Sequence, residues 1–175
     1  DELGTKKFKR CKYLGEDVIY LMKPGNYFFS SRYGKFSFVG NPVKNFDSGF
    51  VLTLLKDEGK YVYLTPEGEN FFEQKFSNAT PFKDGYAAVK MRRGWTIIDA
   101  NGRAKSLDSF GEIKVHGTGL FTTQSASLHG LIDHHGEVIL ETQYERLEIL
   151  HGDVIQAVKK GEFFYFNLDG KPIPY

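Results

Sequence analysis

The sequence predicts an all-β fold built from repeats of about 34 residues, and three observations support this prediction. Glycines recur every 34 residues along the chain: Gly34, Gly68, Gly102, Gly136 and Gly170. Residues that open tight turns precede these glycines at a constant distance. The segments between turns are rich in Val, Ile, Tyr, Phe and Thr, which favour strands. Self-similarity of this kind is typical of stacked or radial repeat architectures.

A helical repeat is the alternative, because the tetratricopeptide repeat has the same period. Helical hairpins need two long segments with a 3.6-residue hydrophobic period and few helix breakers. This chain contains 19 glycines, and its segments have the composition of strands. We therefore exclude the helical alternative.

The turns are predicted from the residue three places before each repeating glycine, which has a short side-chain oxygen in every repeat. These residues are Ser31, Thr65, Asp99, Asp133 and Asn167. Such an oxygen accepts a hydrogen bond from the backbone two residues on, and Gly in the fourth position adopts the left-handed conformation. We therefore assign a structural turn role to Asp99, Gly102, Asp133, Gly136, Asn167 and Gly170.

A column of large rings lies seven residues before each glycine. Its members are Tyr27, Tyr61, Trp95, His129 and Phe163. One interpretation is that these rings fill the gap between neighbouring units. The functional interpretation is an aromatic row that stacks on a sugar or a peptide, which makes the same five residues the candidate binding site.

The run Phe163-Phe164-Tyr165-Phe166 is the strongest functional signal in the sequence. Alternate residues of a strand point to opposite faces, so both faces of this strand are aromatic. Either the strand is covered on both sides, or one face is left for a partner.

Taken in order, the chain predicts one repeat domain over residues 1–175. The repeats span about 1–34, 35–68, 69–102, 103–136 and 137–170, and a short strand follows at 171–175. Each repeat is a hairpin followed by a third strand, which gives about fourteen strands. The third strands are predicted at 35–39, 69–73, 103–107 and 137–141. Less regular connections, such as residues 144–152, join one unit to the next.

The segment from Gly85 to Gly102, GYAAVKMRRGWTIIDANG, resembles the WG-containing β-repeat found mainly in bacterial proteins. Residues 129–136, HGLIDHHG, match the second half of that repeat, with His129 where the family has Trp. In the first segment Thr96 replaces the glycine that follows the Trp. The resemblance extends from about Phe8 to Ile173 and implies an all-β interaction or structural module with no established catalytic residues.

Composition narrows the classes of function. The formal net charge is +1, so no nucleic-acid partner is expected. No apolar run approaches the ~20 residues of a membrane-spanning helix. The cluster Lys6, Lys7, Lys9, Arg10 and Lys12 is interpreted as a solvated strand face. Because the chain begins at Asp1, we expect a processed or trimmed product, and the absence of a signal peptide decides nothing. As a separate expectation, a cell-envelope or secreted location is favoured over the cytoplasm.

Catalytic and metal-binding signatures are missing from the sequence, so we expect no catalytic residue, no metal and no cofactor. Asp99 and Asp133 form a conceivable carboxylate pair, but their equivalent turn positions explain both. Adjacent His134 and His135 are expected to point apart on their turn, with no third ligand. Cys11 is the only cysteine and is expected to be a buried small hydrophobe.

Two architectures and three functional interpretations remain open. An open array of stacked units is favoured over a closed five-bladed ring, because a 34-residue unit is short for a propeller blade. The preferred function is a non-enzymatic module that binds a protein or a glycan. The alternative is a propeller-like lectin or glycoside hydrolase with a central acidic site, and a spacer within a longer array is a third reading.

Overall fold

The computed structural model describes residues 10–23, 26–31, 34–37, 40–92, 94–106, 110–151 and 153–174. These residues contain 17 β-strands in five antiparallel sheets and one short 3-10 helix. The all-β prediction is confirmed. The chain divides into two compact units, Asp1–Gly85 and Tyr86–Tyr175, which are described separately.

The first unit holds sheets 1 and 2. Sheet 1 is a meander of β1 (Arg10–Gly15), β2 (Val18–Lys23), β3 (Asn26–Ser31) and β4 (Gly34–Ser37); sheet 2 contains β5 (Asn41–Pro42), β6 (Val51–Leu55) and β7 (Lys60–Leu64). The two sheets share one hydrophobic core, formed by Leu14, Val18, Tyr20, Val51, Leu55, Val62 and Leu64. Burial of these apolar side chains stabilises the pair of sheets.

The second unit holds sheets 3, 4 and 5. Sheet 3 contains β8 (Tyr86–Met91), β9 (Gly94–Asp99) and β10 (Ala104–Ser106). Sheet 4 contains β11 (Glu112–Val115), β12 (Leu120–Ser125), β13 (Leu128–Asp133) and β14 (Val138–Tyr144), and the 3-10 helix (Gly117–Gly119) connects β11 to β12. Sheet 5 contains β15 (Arg146–Leu150), β16 (Val154–Lys159) and β17 (Glu162–Asn167).

Sheet 4 packs between sheets 3 and 5. Its contact with sheet 3 is made by Ala88, Trp95 and Ile97 on one side and by Ile113, Phe121 and Ile132 on the other. Its opposite face contacts sheet 5 through Leu120, Leu131, Leu140 and Tyr144, which meet Leu147, Ile155, Ala157 and Phe166. Side chains of one strand alternate between these two cores, as the pleat of a strand requires.

The prediction of three strands per unit is wrong in its details. Sheets 1 and 4 have four strands, and the strand total exceeds the expected fourteen. The connection predicted as irregular after Tyr144 contains a strand, Arg146–Leu150, in which exposed Arg146, Glu148 and Leu150 alternate with residues turned inward. That alternation is a strand pattern that the sequence contains.

The third strand predicted at 69–73 is also wrong. Only Asn70 pairs with Leu64, through an isolated bridge. Phe71, Phe72 and Phe76 instead join Phe50, Tyr63 and Phe82 in an aromatic cluster, in which Phe71 is exposed and the other rings are buried or half-buried. Burial of these rings competes with strand pairing, so packing replaces the strand here.

Cys11 is exposed, so the prediction of a buried small hydrophobe is wrong. It lies on β1 opposite Leu21 of β2. This side chain points away from the core that sheets 1 and 2 share, because the core residues Leu14, Val18 and Tyr20 occupy the opposite face.

Candidate functional site

The three turns after β9, β13 and β17 are built in the same way. Oδ1 of Asp99 accepts hydrogen bonds from the backbone N–H groups of Asn101 (2.9 Å) and Arg103 (2.8 Å). Oδ1 of Asp133 accepts from His135 and Glu137, and Oδ1 of Asn167 accepts from Asp169 and Lys171. The turn glycines Gly102, Gly136 and Gly170 all have positive φ, between +75° and +80°. In each turn the acceptor oxygen is therefore occupied by the backbone of its own turn.

The rings of His134 and His135 do not point apart, which corrects the expectation from the sequence. Their centroids lie 3.9 Å apart, and His134 also packs on Tyr86 at 4.7 Å. Together with Asp133 they place three ligand atoms within 4.8 Å of one another. The ring of His134 packs against Tyr86 of β8. This contact joins residues that are far apart in the sequence, so the sequence of the turn alone could not predict it. The absence of a resident metal stays a prediction.

The ring column is divided between buried and exposed positions. Trp95 is 3% exposed and lies in the core between sheets 3 and 4. Lys90 Nζ lies 5.5 Å from the centroid of the Trp95 ring. Tyr61 and His129 are half-buried, and Phe163 is 48% exposed. The side chain of Tyr27 lies outside the described residues.

An apolar groove lies beside β17. It has a volume of about 450 Å³ and is lined by Phe164, Tyr165, Phe166, Pro172, Ile173 and Pro174. The backbone N–H of Ile173 donates to the carbonyl oxygen of Tyr165 (2.9 Å), and Pro172 bridges to Phe166. These contacts hold the C-terminal segment along the strand edge. The sequence identified the aromatic side of this groove, but it gave no sign that residues 172–174 form the other side.

One face of sheet 5, which we name the end face, points away from sheet 4. Strand pairing places Arg146, Val158 and Phe163 in one row, and Glu148, Gln156 and Tyr165 in the next. A third row contains Leu150, Val154 and Asn167. Phe163 and Leu150 are exposed, and Gln156 donates a hydrogen bond to the Tyr165 hydroxyl (3.1 Å). The end face therefore combines exposed apolar side chains with polar and charged ones, among them Arg146 and Glu148, whose Nε and Oε1 atoms lie 4.0 Å apart.

A smaller polar pocket of about 160 Å³ lies between sheets 4 and 5. Its lining consists of Glu112, Lys114, His116, Thr122, Gln124, His129 and Leu147. His116 Nε2 and Thr122 Oγ1 are hydrogen-bonded at 2.6 Å. The ring column contributes His129 to this pocket, whereas Asp99 and Asp133 are not part of its lining.

In the part of the chain that the structure describes, no helix is long and apolar enough to cross a membrane.

Comparison with protein families identifies repeats in this chain. The family described as "WG containing repeat" matches residues 63–95 and 130–171. These two segments match the WG-containing repeat, which confirms the resemblance found in the sequence. Comparison with curated protein sequences gives no match.

Solved structures show a similar fold at low sequence identity. The chain matches Kluyveromyces lactis Hsv2 (complete loop 6CD) with a TM-score of 0.54 and 8% identity, covering 94% of this chain and 61% of that one. It matches Kluyveromyces marxianus Hsv2 with a TM-score of 0.52 and 8% identity, covering 97% and 64%. These are β-propeller or WD40-like folds. The chain spans less than two thirds of the length of both structures, and the similarity concerns the fold alone.

Proposed function

We propose that this chain is a non-enzymatic binding module that holds a partner protein on the end face of sheet 5 and the adjoining apolar groove. The observation that carries the proposal is the exposure of Phe163. Trp95, its counterpart in sheet 3, is buried beneath sheet 4, whereas 48% of Phe163 meets solvent. A large ring exposed at a position that is covered elsewhere in the same protein is typical of a partner surface.

A protein partner is favoured over a glycan by the chemistry of the groove. Its lining has no charged residue, and Tyr165 supplies its one side-chain polar group. Sugar recognition needs several hydrogen-bonding groups around an aromatic platform, because each sugar hydroxyl that loses water must find a partner. Apolar peptide side chains have no such requirement, and a groove of this volume is large enough to hold them.

A non-enzymatic role is supported by the state of the candidate carboxylates. Asp99 and Asp133 hold their own turns through two backbone hydrogen bonds each. A catalytic carboxylate would need to face a substrate pocket, and neither residue lines the apolar groove or the polar pocket.

The proposed architecture is an open array of five repeats of about 34 residues. What supports openness is the same exposure of Phe163, since ring closure would have to cover the end face. The free end face is the part of this architecture on which the binding function depends.

Binding to arrays of two chemical classes tests this function. Immobilised 15-residue peptides rich in aromatic and aliphatic residues and an array of oligosaccharides would be incubated with wild type, Phe163→Arg and Val138→Arg. Val138 is also exposed, at 55%, but lies on β14 away from the end face. We expect peptide binding that Phe163→Arg weakens at least about tenfold and Val138→Arg leaves unchanged. Glycan binding that survives Phe163→Arg, without peptide binding, would contradict the proposal.

A further inference from the structure

The contacts between sheets follow one rule wherever both sheets lie in one compact unit. Sheet 1 packs on sheet 2, sheet 3 on sheet 4, and sheet 4 on sheet 5. In each pair, the sheet that comes first in the sequence makes the contact with the face on which its ring-column residue lies. The sheet that comes second makes the contact with the face opposite its own ring-column residue. We name these the forward face and the reverse face. Every one of these junctions joins a forward face to a reverse face.

The reverse face of sheet 1 carries exposed apolar side chains. Strand pairing places Cys11 opposite Leu21 and Tyr13 opposite Ile19. Tyr13 is 61% exposed, Ile19 is 42% exposed and Cys11 is exposed, whereas Leu21 is buried, with 7% of its surface exposed. We name these four residues the start face.

The start face occupies the repeat positions that bind a forward face elsewhere in the protein. Counting back four repeat lengths from sheet 5, Leu147 and Ala157 correspond to Cys11 and Leu21, and Ile149 and Ile155 correspond to Tyr13 and Ile19. The backbone register is also the same, because Leu147 pairs with Ala157 and Ile149 pairs with Ile155. In sheet 5 these four residues pack against the forward face of sheet 4.

We propose that the start face of one copy of this protein binds the end face of a second copy, so that sheet 1 stacks on sheet 5 as sheet 5 stacks on sheet 4. This inference rests on the proposed function, because it names the partner of the same surface. The two faces differ, so the contact is heterologous and each copy can bind two others. The protein then forms head-to-tail chains whose length depends on concentration.

The fit at the contact follows from the junction between sheets 4 and 5. There Leu147 lines the same pocket as Gln124 and His129. One repeat later, Gln124 corresponds to Val158 and His129 to Phe163. Cys11 of the second copy is therefore placed beside Val158 and Phe163. Contact at this position buries the exposed ring of Phe163 against apolar side chains, which is favourable.

Sedimentation velocity with two blocked variants tests the heterologous contact. Ile19→Arg blocks the start face, and Phe163→Arg blocks the end face. We expect wild type to associate progressively with concentration and each variant alone to stay monomeric. An equimolar mixture should form a one-to-one dimer that does not grow, since each variant supplies the face that the other lacks. Val138→Arg, the surface control, should associate as wild type does.

Three results would overturn the proposal. Wild type that stays monomeric at every concentration has no such contact. A blocked variant that dimerises alone shows an isologous contact instead. A mixture that stays monomeric shows that the start and end faces do not bind each other. Circular dichroism of each variant confirms that the arginine has not unfolded the chain.

Crosslinking tests which residues of the two copies lie close together, and it does not require a substitution that breaks the contact. Val158→Cys places a thiol on the end face, and Cys11 is the only native thiol. A short bismaleimide should join Val158→Cys into covalent dimers and longer chains, whereas wild type stays uncrosslinked. Ser127→Cys, on an exposed turn of sheet 4, is the matched control and should react without forming multimers. Equal crosslinking of both variants would overturn the assignment.

The failure of this inference can be told apart from the failure of the proposed function. A monomeric wild type that still binds apolar peptides through Phe163 contradicts the second copy as partner and leaves the binding module in place. Self-association through Phe163 without binding to any peptide supports the inference and limits the function to assembly.

Discussion

Two glycines in turns show why the backbone conformation at these positions requires glycine. Gly170 and Gly161 have nearly the same positive φ, +75° and +77°. A Cβ atom at Gly161 would meet open space, whereas one at Gly170 would lie 2.6 Å from the carbonyl oxygen of Ile139. The pair therefore separates the cost of the left-handed conformation from the cost of a clash with β14.

Alanine substitution at these two positions is expected to have unequal effects. Gly161→Ala should lower the free energy of unfolding by about 1–2 kcal/mol, because a left-handed residue with a side chain is strained. Gly170→Ala should cost roughly 1–3 kcal/mol more, because the backbone must also move. Urea denaturation followed by the fluorescence of Trp95 measures both. Equal losses would show that the contact with Ile139 does not restrain the turn.

At the scale of elements, the sequence predicts the hairpins well and the strands around them poorly. Turn residues are local signals, so the strands beside Gly102, Gly136 and Gly170 could be placed. The presence of a fourth strand depends on packing. A Cβ on Gly130 would lie 2.6 Å from Thr142 Oγ1 and 2.9 Å from the Leu140 oxygen, so β14 can approach β13 closely only because residue 130 is glycine.

The sequence predicted only part of the candidate site, because residue types are visible in the sequence whereas packing between distant segments is not. The aromatic run of β17 is visible as a pattern of residue types. Neither the groove beside it nor the start face can be read from the sequence, because both depend on which faces other segments cover. The exposure of Cys11 illustrates this, since its repeat counterpart Leu147 is buried by sheet 4.

Tyr63 connects β7 to the aromatic segment that contains residues 69–73, where the sequence predicted a strand. Its hydroxyl donates a 2.6 Å hydrogen bond to the carbonyl oxygen of Thr80. Burial raises the pKa of Tyr63 far above its ordinary value, because the low-dielectric core disfavours the phenolate. The folded protein therefore keeps this proton at a pH where the unfolded chain loses it.

Stability should consequently fall at alkaline pH through Tyr63. Below about pH 10 the hydroxyl stabilises the fold, and above it the unfolding free energy should drop by up to about 1.4 kcal/mol per pH unit. Tyr63→Phe should be less stable by about 1 kcal/mol at pH 8, because the Thr80 oxygen loses its donor. This deficit should shrink and reverse between pH 10 and 12, as denaturation curves at each pH can measure. Parallel pH profiles of the two proteins would refute the role of Tyr63.

At the scale of the whole molecule, the stacking of similar sheets explains why the chain can offer a binding surface at all. A repeat protein buries one face of each unit against its neighbour, so its terminal units keep uncovered faces unless they are capped or joined. The end face of sheet 5 has this character, with Phe163 and Leu150 exposed. Its availability in solution depends on whether the array is open.

Small-angle X-ray scattering of the Ile19→Arg variant tests that openness directly, since this variant is expected to stay monomeric. We predict a distance distribution that is skewed and extends well beyond that of a sphere of the same mass, as an open array of stacked sheets requires. A compact, near-spherical distribution would indicate ring closure. It would contradict a free end face and would turn the search toward a central glycan-binding pocket.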